Sequence, residues 1–171
     1  MNSAAGLNHI PKVSMFNHIG LDQLQNPVLR LGAAYWTAQR GEHRIPARQQ
    51  IKPRAIAPAL RNMVLFKVLN GDFAYRVVGD AIVRAYSVPL QNRRLSEIIL
   101  EAPKVGSTVH ELLTRVVRSG EPLAIRGRVG HDVIEANFTD FENALLPLGA
   151  DHQNVDHILT VSTYTMRSNR G

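Results

Sequence analysis

FAYRVVGDAIVRAY, residues 73–86, changes its period halfway. Phe73, Tyr75 and Val77 alternate with Ala74, Arg76 and Val78, the spacing of a strand whose side chains point to opposite faces in turn. Gly79 stops the alternation. Asp80 can cap a helix, and Ile82, Val83 and Tyr86 give that helix an apolar side. Just upstream, Asn70-Gly71 separates this run from MVLFKVL, and both residues tolerate the positive φ of a tight turn. The stretch therefore reads as the second strand of a hairpin that passes into a short helix after one residue.

Downstream, VPLQNRRLSEIIL holds a turn and a short helical piece around Leu95–Leu100. KVGSTVHELLTRVVRSG is the longest clear helix: Val105, Val109, Leu112, Leu113, Val116 and Val117 keep the 3.6 period, and Gly120 ends it. Three strand-like runs follow, PLAIRGRV, ANFTDFENALLPLG and VDHILTVSTYTM, with GADHQN as a polar hairpin loop between the last two. Upstream, NPVLRLGAAYWTAQRG reads as a complete helix, with Asn26 as cap, Pro27 at the first helical position and Gly41 at the end. Val28, Leu31, Tyr35 and Ala38 form one apolar stripe, while Leu29 and Trp36 lie off it, so this helix has two sticky sides. Pro46, Pro53 and Pro58 make the next segment an extended connection. Residues 1–25 show no sustained period and read as a flexible leader. The order helix, β-β, short helices, long helix, β-β-β fits an α+β fold: a five-stranded antiparallel sheet with helices on one face and an extra N-terminal helix.

Composition narrows the chemistry. The 171 residues include no cysteine, which excludes disulfides, thiolate metal sites and thiol nucleophiles. No apolar run approaches the ~20 residues that cross a bilayer, and the N-terminus lacks a secretory signal pattern, so a cytoplasmic protein with no membrane contact is expected. The formal charge is +6, with Arg30, Arg40, Arg44, Arg48, Lys52 and Arg54 set against the single acid Glu42. No recognition helix or interleaved aromatic accompanies that basic run. Nucleic-acid binding is therefore the distant alternative, and a solvated connection the plain one.

The wording also carries a resemblance. YWTAQRGEHRIPAR near the N-terminus, FAYRVVGDAIVRAYSVPLQNRRLSEI at the centre and LLPLGADHQNVDHIL late in the chain together resemble a bacterial family of small, stand-alone PAS-like proteins. Trp36, Arg40, Gly41, Pro46, Arg48, Arg76, Gly79, Arg94 and Pro147 fit its pattern over roughly residues 30–165. The chain departs from it at Gln49, Gln50 and Lys52, where acidic residues are expected, and at Asn92-Arg93, where glycine is expected before arginine. The resemblance implies a leader over 1–25, a flanking helix over 26–45 and a PAS-like domain over 46–167. It implies a non-catalytic sensory module that binds a small molecule or a partner protein and passes the signal by protein–protein contact. No effector domain fits after residue 165, so the module is expected to act on an unidentified signalling protein or as a homodimer. A ligand-free, dimerising interaction adaptor is the alternative.

Within that frame, Tyr75, Tyr86, His110, Leu113, Val117 and Ile125 are the expected wall of a ligand pocket. Val28, Leu31, Tyr35 and Trp36 are the expected interface. A flavin–cysteine adduct or a thioester-linked chromophore is excluded by the absence of cysteine. His110 lies where haem-binding relatives carry their iron ligand, but on the edge of the apolar stripe and without a supporting motif, so haem is disfavoured and the cofactor stays unknown. Asp151, His152, Asp156 and His157 cluster in the hairpin loop in an order that matches no zinc or calcium motif, and no metal site is expected there. Ser107, His110 and Glu111 share one helix with no nucleophile elbow, so no hydrolase is expected. Arg76 and Arg126 could grip a carboxylate if they faced inward, and face solvent otherwise.

Overall fold

The computed structural model describes residues 14–168. Its strands are β1 (Ser14–Ile19), β2 (Met63–Val68), β3 (Phe73–Val78), β4 (Leu123–Val129), β5 (Phe138–Leu148) and β6 (His157–Met166). Its helices are α1 (Pro27–Arg40), α2 (Asp80–Ala85), α3 (Leu95–Glu101) and α4 (Pro103–Ser119). A 3-10 stretch, Pro53–Asn62, precedes β2. All six strands join one antiparallel sheet in the order β1-β4-β5-β6-β2-β3.

The five strands β2–β6 are those expected. The sixth corrects the expected leader: Ser14–Ile19 pairs with β4 from Ser14↔Val129 to Ile19↔Ala124, and Leu21–Gln23 form a 3-10 turn behind it. SMFNHI shows no alternation strong enough to announce a strand. Its pairing comes from the free edge of β4, more than a hundred residues away, which local propensity does not register. Residues 1–13 of that leader lie outside the described residues.

The sheet is buried on both faces. On one, α2, α3 and α4 bring Ile82, Leu95, Ile98, Leu112, Leu113 and Val116 onto Phe66, Tyr75, Ile125, Leu145 and Ile158. On the other, α1 and the 3-10 stretch bring Leu29, Trp36, Ile56 and Ala59 onto Ala144, Leu146, Leu159 and Val161. The expectation of helices on one face thus describes α2–α4, while the extra helix covers the opposite side.

α1 begins and ends as its residues dictate. Asn26 Oδ1 accepts from Val28 N–H at 2.8 Å, Pro27 occupies the first turn, and Gly41 leaves the helix at φ 56°. Its buried face is Leu29, Gly32, Ala33 and Trp36, an i, i+3, i+4, i+7 set, and not the Val28–Leu31–Tyr35 stripe. Gly32 explains the difference: a Cβ there would lie 2.9 Å from Val161 Cγ2, so the small residues mark where helix and sheet approach most closely.

The opening hairpin forms, with Gly71 at φ 71°, but β3 does not alternate throughout. Leu65 pairs with Val77 while Phe66 pairs with Tyr75, so Arg76 is an extra, bulged residue. The bulge moves Val77 to the α1 side beside Leu65 and turns Val78 inward, which corrects the expected grouping of Val77 with Phe73 and Tyr75. Gln91 then holds the edge strand: its side chain accepts from Val78 N–H at 3.0 Å and donates to Arg76 C=O at 2.8 Å. This covers backbone that an edge would leave open. The cap of α2 is Gly79 and not Asp80. A side chain at Gly79 would sit 2.4 Å from the Arg61 carbonyl, and Asp80 falls in the first turn, where a carboxylate favours the helix dipole.

Candidate functional site

A cavity of about 50 Å3 lies on the helical face of the sheet. α4 contributes Val109, Leu112 and Leu113, α2 contributes Ile82, and Tyr86 follows directly after it. The floor is built by period-2 alternation: Thr160, Ser162 and Tyr164 from β6, Asn143 and Leu145 from β5, Phe66 from β2 and Tyr75 from β3. The α4 side of the wall is apolar, and the polar groups among the strand residues, Asn143, Thr160, Ser162, Tyr75 and Tyr164, stand beside Val64, Phe66 and Leu145.

The polar groups have a specific pattern. Tyr86 and Tyr164 approach hydroxyl to hydroxyl at 3.2 Å, with their rings edge to face. Burial pushes the phenol pKa of Tyr75, Tyr86 and Tyr164 above its usual value, so all three are neutral hydroxyls at physiological pH. Asn143 Oδ1 is buried and has no hydrogen-bond partner among the described residues. Such an acceptor calls for a donor, and a cavity of this size has room for water or a guest of a few heavy atoms. Neutral phenols and an amide can donate and accept hydrogen bonds, but none of them is poised as a base or nucleophile at neutral pH.

Of the expected pocket residues, the structure brings Tyr75, Tyr86 and Leu113 together around this cavity. Val117 packs at the margin of the same core, and Ile125 is 1 % exposed within it, but neither lines the cavity. His110 turns to the hairpin: its Nε2 lies 3.2 Å from Gly71 O, and its ring meets Phe73 edge-on at 5.6 Å. On a helix of about 100° per residue, it points away from the Val109–Leu112–Leu113 wall. Asn143, Thr160, Ser162 and Tyr164 also line the cavity and lie outside the expected set. The signal for three of them was the polar period-2 run of β6, which is unusual for a strand buried on both faces.

The expected interface set divides. Trp36 is fully buried and donates its indole N–H to Pro147 O at 2.9 Å, which corrects its placement at an interface. Val28, Leu31 and Tyr35 are half-buried against the same core, and the Tyr35 hydroxyl donates to Gln50 O at 3.1 Å and accepts from Lys52 N–H at 2.8 Å.

The remaining polar groups hold the fold. Asp151 closes its hairpin loop by accepting from the N–H groups of Gln153 and Asn154 and from the Asn154 side chain, which hold its carboxyl down at about 2. Asp156 accepts from Ala150 N–H and His157 Nδ1. Arg126 pairs with Glu142 at 2.7 Å, and Arg76 is exposed at the bulge, so neither arginine faces the cavity. Among the described residues no group of three or more histidines and carboxylates is placed to hold a metal, and no helix is long and apolar enough to cross a membrane.

Comparison with known proteins agrees with this architecture. The model of one family, described as a PAS domain, matches residues 24–162. No curated protein and no solved structure matches the chain. With strands β2–β5, most of β6, the helical face and all of the cavity lining but Tyr164 lying within the matched span, the chain belongs to the PAS-domain family of non-catalytic sensory modules in signal transduction.

Proposed function

We propose that this PAS domain is of the bacterial, stand-alone kind and works in the cytoplasm as an interaction module. It passes its signal by contact with a partner protein or a second copy, and it holds no cofactor-sized ligand in the inner cavity. The observation that carries this reading is volume. The cavity measures about 50 Å3, where sites for drug-sized ligands measure roughly 300–1,000 Å3. A haem or flavin does not fit such a space, and His110 is turned away from it.

The contact surface is the end of the helical face where Leu100 and Ile134 project, 86 % and 83 % exposed. They flank a braced region in which Glu135 accepts from the Lys104 and Val105 N–H groups and Lys104 pairs with Asp132. Two such exposed apolar side chains are suited to anchoring a partner. Leu100→Glu and Ile134→Glu are each expected to leave stability within about 0.5 kcal/mol of the parent, since neither side chain is buried. Combined, they are expected to abolish self-association in sedimentation equilibrium, or partner capture where the parent sediments as a single chain. A pair of variants that associates like the parent removes this surface from consideration.

A second reading has its own observation, the unpartnered Asn143 Oδ1. It favours a small hydrogen-bond donor as the cavity's guest and signal. Native mass spectrometry separates the two. A bare chain mass supports the contact module, a small reproducible added mass supports the guest, and a cofactor-sized added mass overturns the first reading.

A further inference from the structure

The opposite face of the sheet has a larger opening. Between the 3-10 stretch and the edge strand β3 lies a groove of about 500 Å3, against about 50 Å3 for the inner cavity. Met63 and Leu65 of β2 and Leu159 of β6 form its floor, and Leu60 and Val77 stand at its sides. The bulge at Arg76 creates one of those sides, because strict alternation would have pointed Val77 into the other core. At the rim stand Arg48 and Lys52, both exposed. Among the described residues, no acidic residue lines the groove and no salt bridge joins either cation to a carboxylate.

We infer that this groove binds a small amphipathic carboxylate, its aliphatic body on the Met63–Leu65–Leu159 floor and its head group between Arg48 and Lys52. The volume lies within the range of small-molecule sites. The charge selects an anion, and the guanidinium fork matches a carboxylate's two oxygens. A protein partner fits less well. Leu60 and Val77, 42 % and 53 % exposed, are the lining's only exposed large hydrophobics, and a stable protein interface needs roughly 800 Å2 from each side. This goes beyond the contact reading, and it concerns a different face from both the inner cavity and the Leu100–Ile134 end.

The test uses the full chain and isothermal titration with octanoate, decanoate and decylamine, each below its critical micelle concentration. One decanoate is expected to bind per chain, octanoate about tenfold or more weaker at about fourfold per buried methylene, and decylamine at least tenfold weaker than decanoate. The double variant Arg48→Gln/Lys52→Gln, two exposed positions, is expected to weaken decanoate at least tenfold with an unchanged melting curve. Val77→Asp is expected to do the same, whereas Asn143→Leu in the inner cavity leaves decanoate binding intact. Equal binding of decylamine, absence of saturable decanoate binding, or binding indifferent to both groove variants overturns the inference. So does a dimer that Val77→Asp dissociates in a protein that ignores decanoate, since the groove then belongs to a second copy. Failure here leaves the mass-spectrometric test of the contact module untouched.

Discussion

The two faces of β6 are one residue out of phase and have opposite characters. Thr160, Ser162 and Tyr164 look toward α4 and line a small, nearly filled space with hydroxyl groups. Leu159 and Val161 look toward α1, where Val161 touches the helix at Gly32 and Leu159 underlies an open, apolar groove. The face that carries the hydroxyls holds the smaller space, about 50 Å3, and the apolar face the larger one, about 500 Å3. The difference teaches where to look for specificity. Buried hydroxyls in a tight space fix geometry and admit only small guests, while an open apolar floor with a cationic rim offers free energy to something larger.

The largest effect is expected where α1 is sealed onto the sheet. Trp36→Ala removes a fully buried indole and its hydrogen bond to Pro147 O, and is expected to cost about 3–5 kcal/mol in urea unfolding. Trp36→Phe keeps most of the volume and leaves that carbonyl without its donor, so a smaller loss of about 1–3 kcal/mol is expected. If Trp36→Ala cost less than 1 kcal/mol, the α1 face would be a loosely docked flap, and the contrast between a sealed region and an open groove would collapse.

Next comes the staple at the start of α1. Glu142 accepts from the N–H groups of Gln25 and Asn26 at 2.9 and 3.0 Å and from Arg126 Nε at 2.8 Å. Burial alone would raise its pKa, but the Asn26 N–H, Arg126 and the Gln25 N–H outweigh it and hold the carboxyl below the usual glutamate value. Glu142→Gln is expected to cost about 1.5–3 kcal/mol at neutral pH. Because the folded pKa is depressed, that stabilisation is complete above the unfolded value of about 4.3 and is lost as pH falls through the lower folded value. The gap between parent and variant should therefore close in acid unfolding below about pH 4. A gap independent of pH would show that the carboxylate's charge is not what anchors α1.

Most of the fold was legible because its signals are local. Asn26-Pro27, Asn70-Gly71 and Gly120 each mark a cap or turn by backbone chemistry that acts within a few residues, and each holds in the structure. What was not legible depends on partners distant in sequence. β1 exists because β4 has a free edge, and the Arg76 bulge shows only in the pairing with β2. The buried face of α1 is not legible in the sequence because Gly32 and Ala33 look like weak residues until the sheet lies against them. The cavity was half legible for the same reason. Tyr75, Tyr86 and Leu113 follow from helix and strand faces read singly, whereas Asn143 comes from a strand whose inward side only its neighbours decide.

The smallest effect is expected on the face that carries the hydroxyls, and it sharpens the comparison most. Asn143 places an unpartnered acceptor against a cavity of about 50 Å3. Asn143→Leu replaces that acceptor with an apolar group of similar size, and an apolar replacement for an unsatisfied polar atom is neutral to stabilising. A gain of up to about 1 kcal/mol is expected in urea unfolding, with the melting transition equally sharp. A loss of about 1–2 kcal/mol would mean that a hydrogen-bond donor occupies the cavity in the working protein and that the amide holds it. Weight would then pass from the contact module to the small-guest reading. A gain instead makes the polar lining of β6 a set of self-contained hydroxyl contacts, and leaves the groove on the other face as the larger ligand space of this domain.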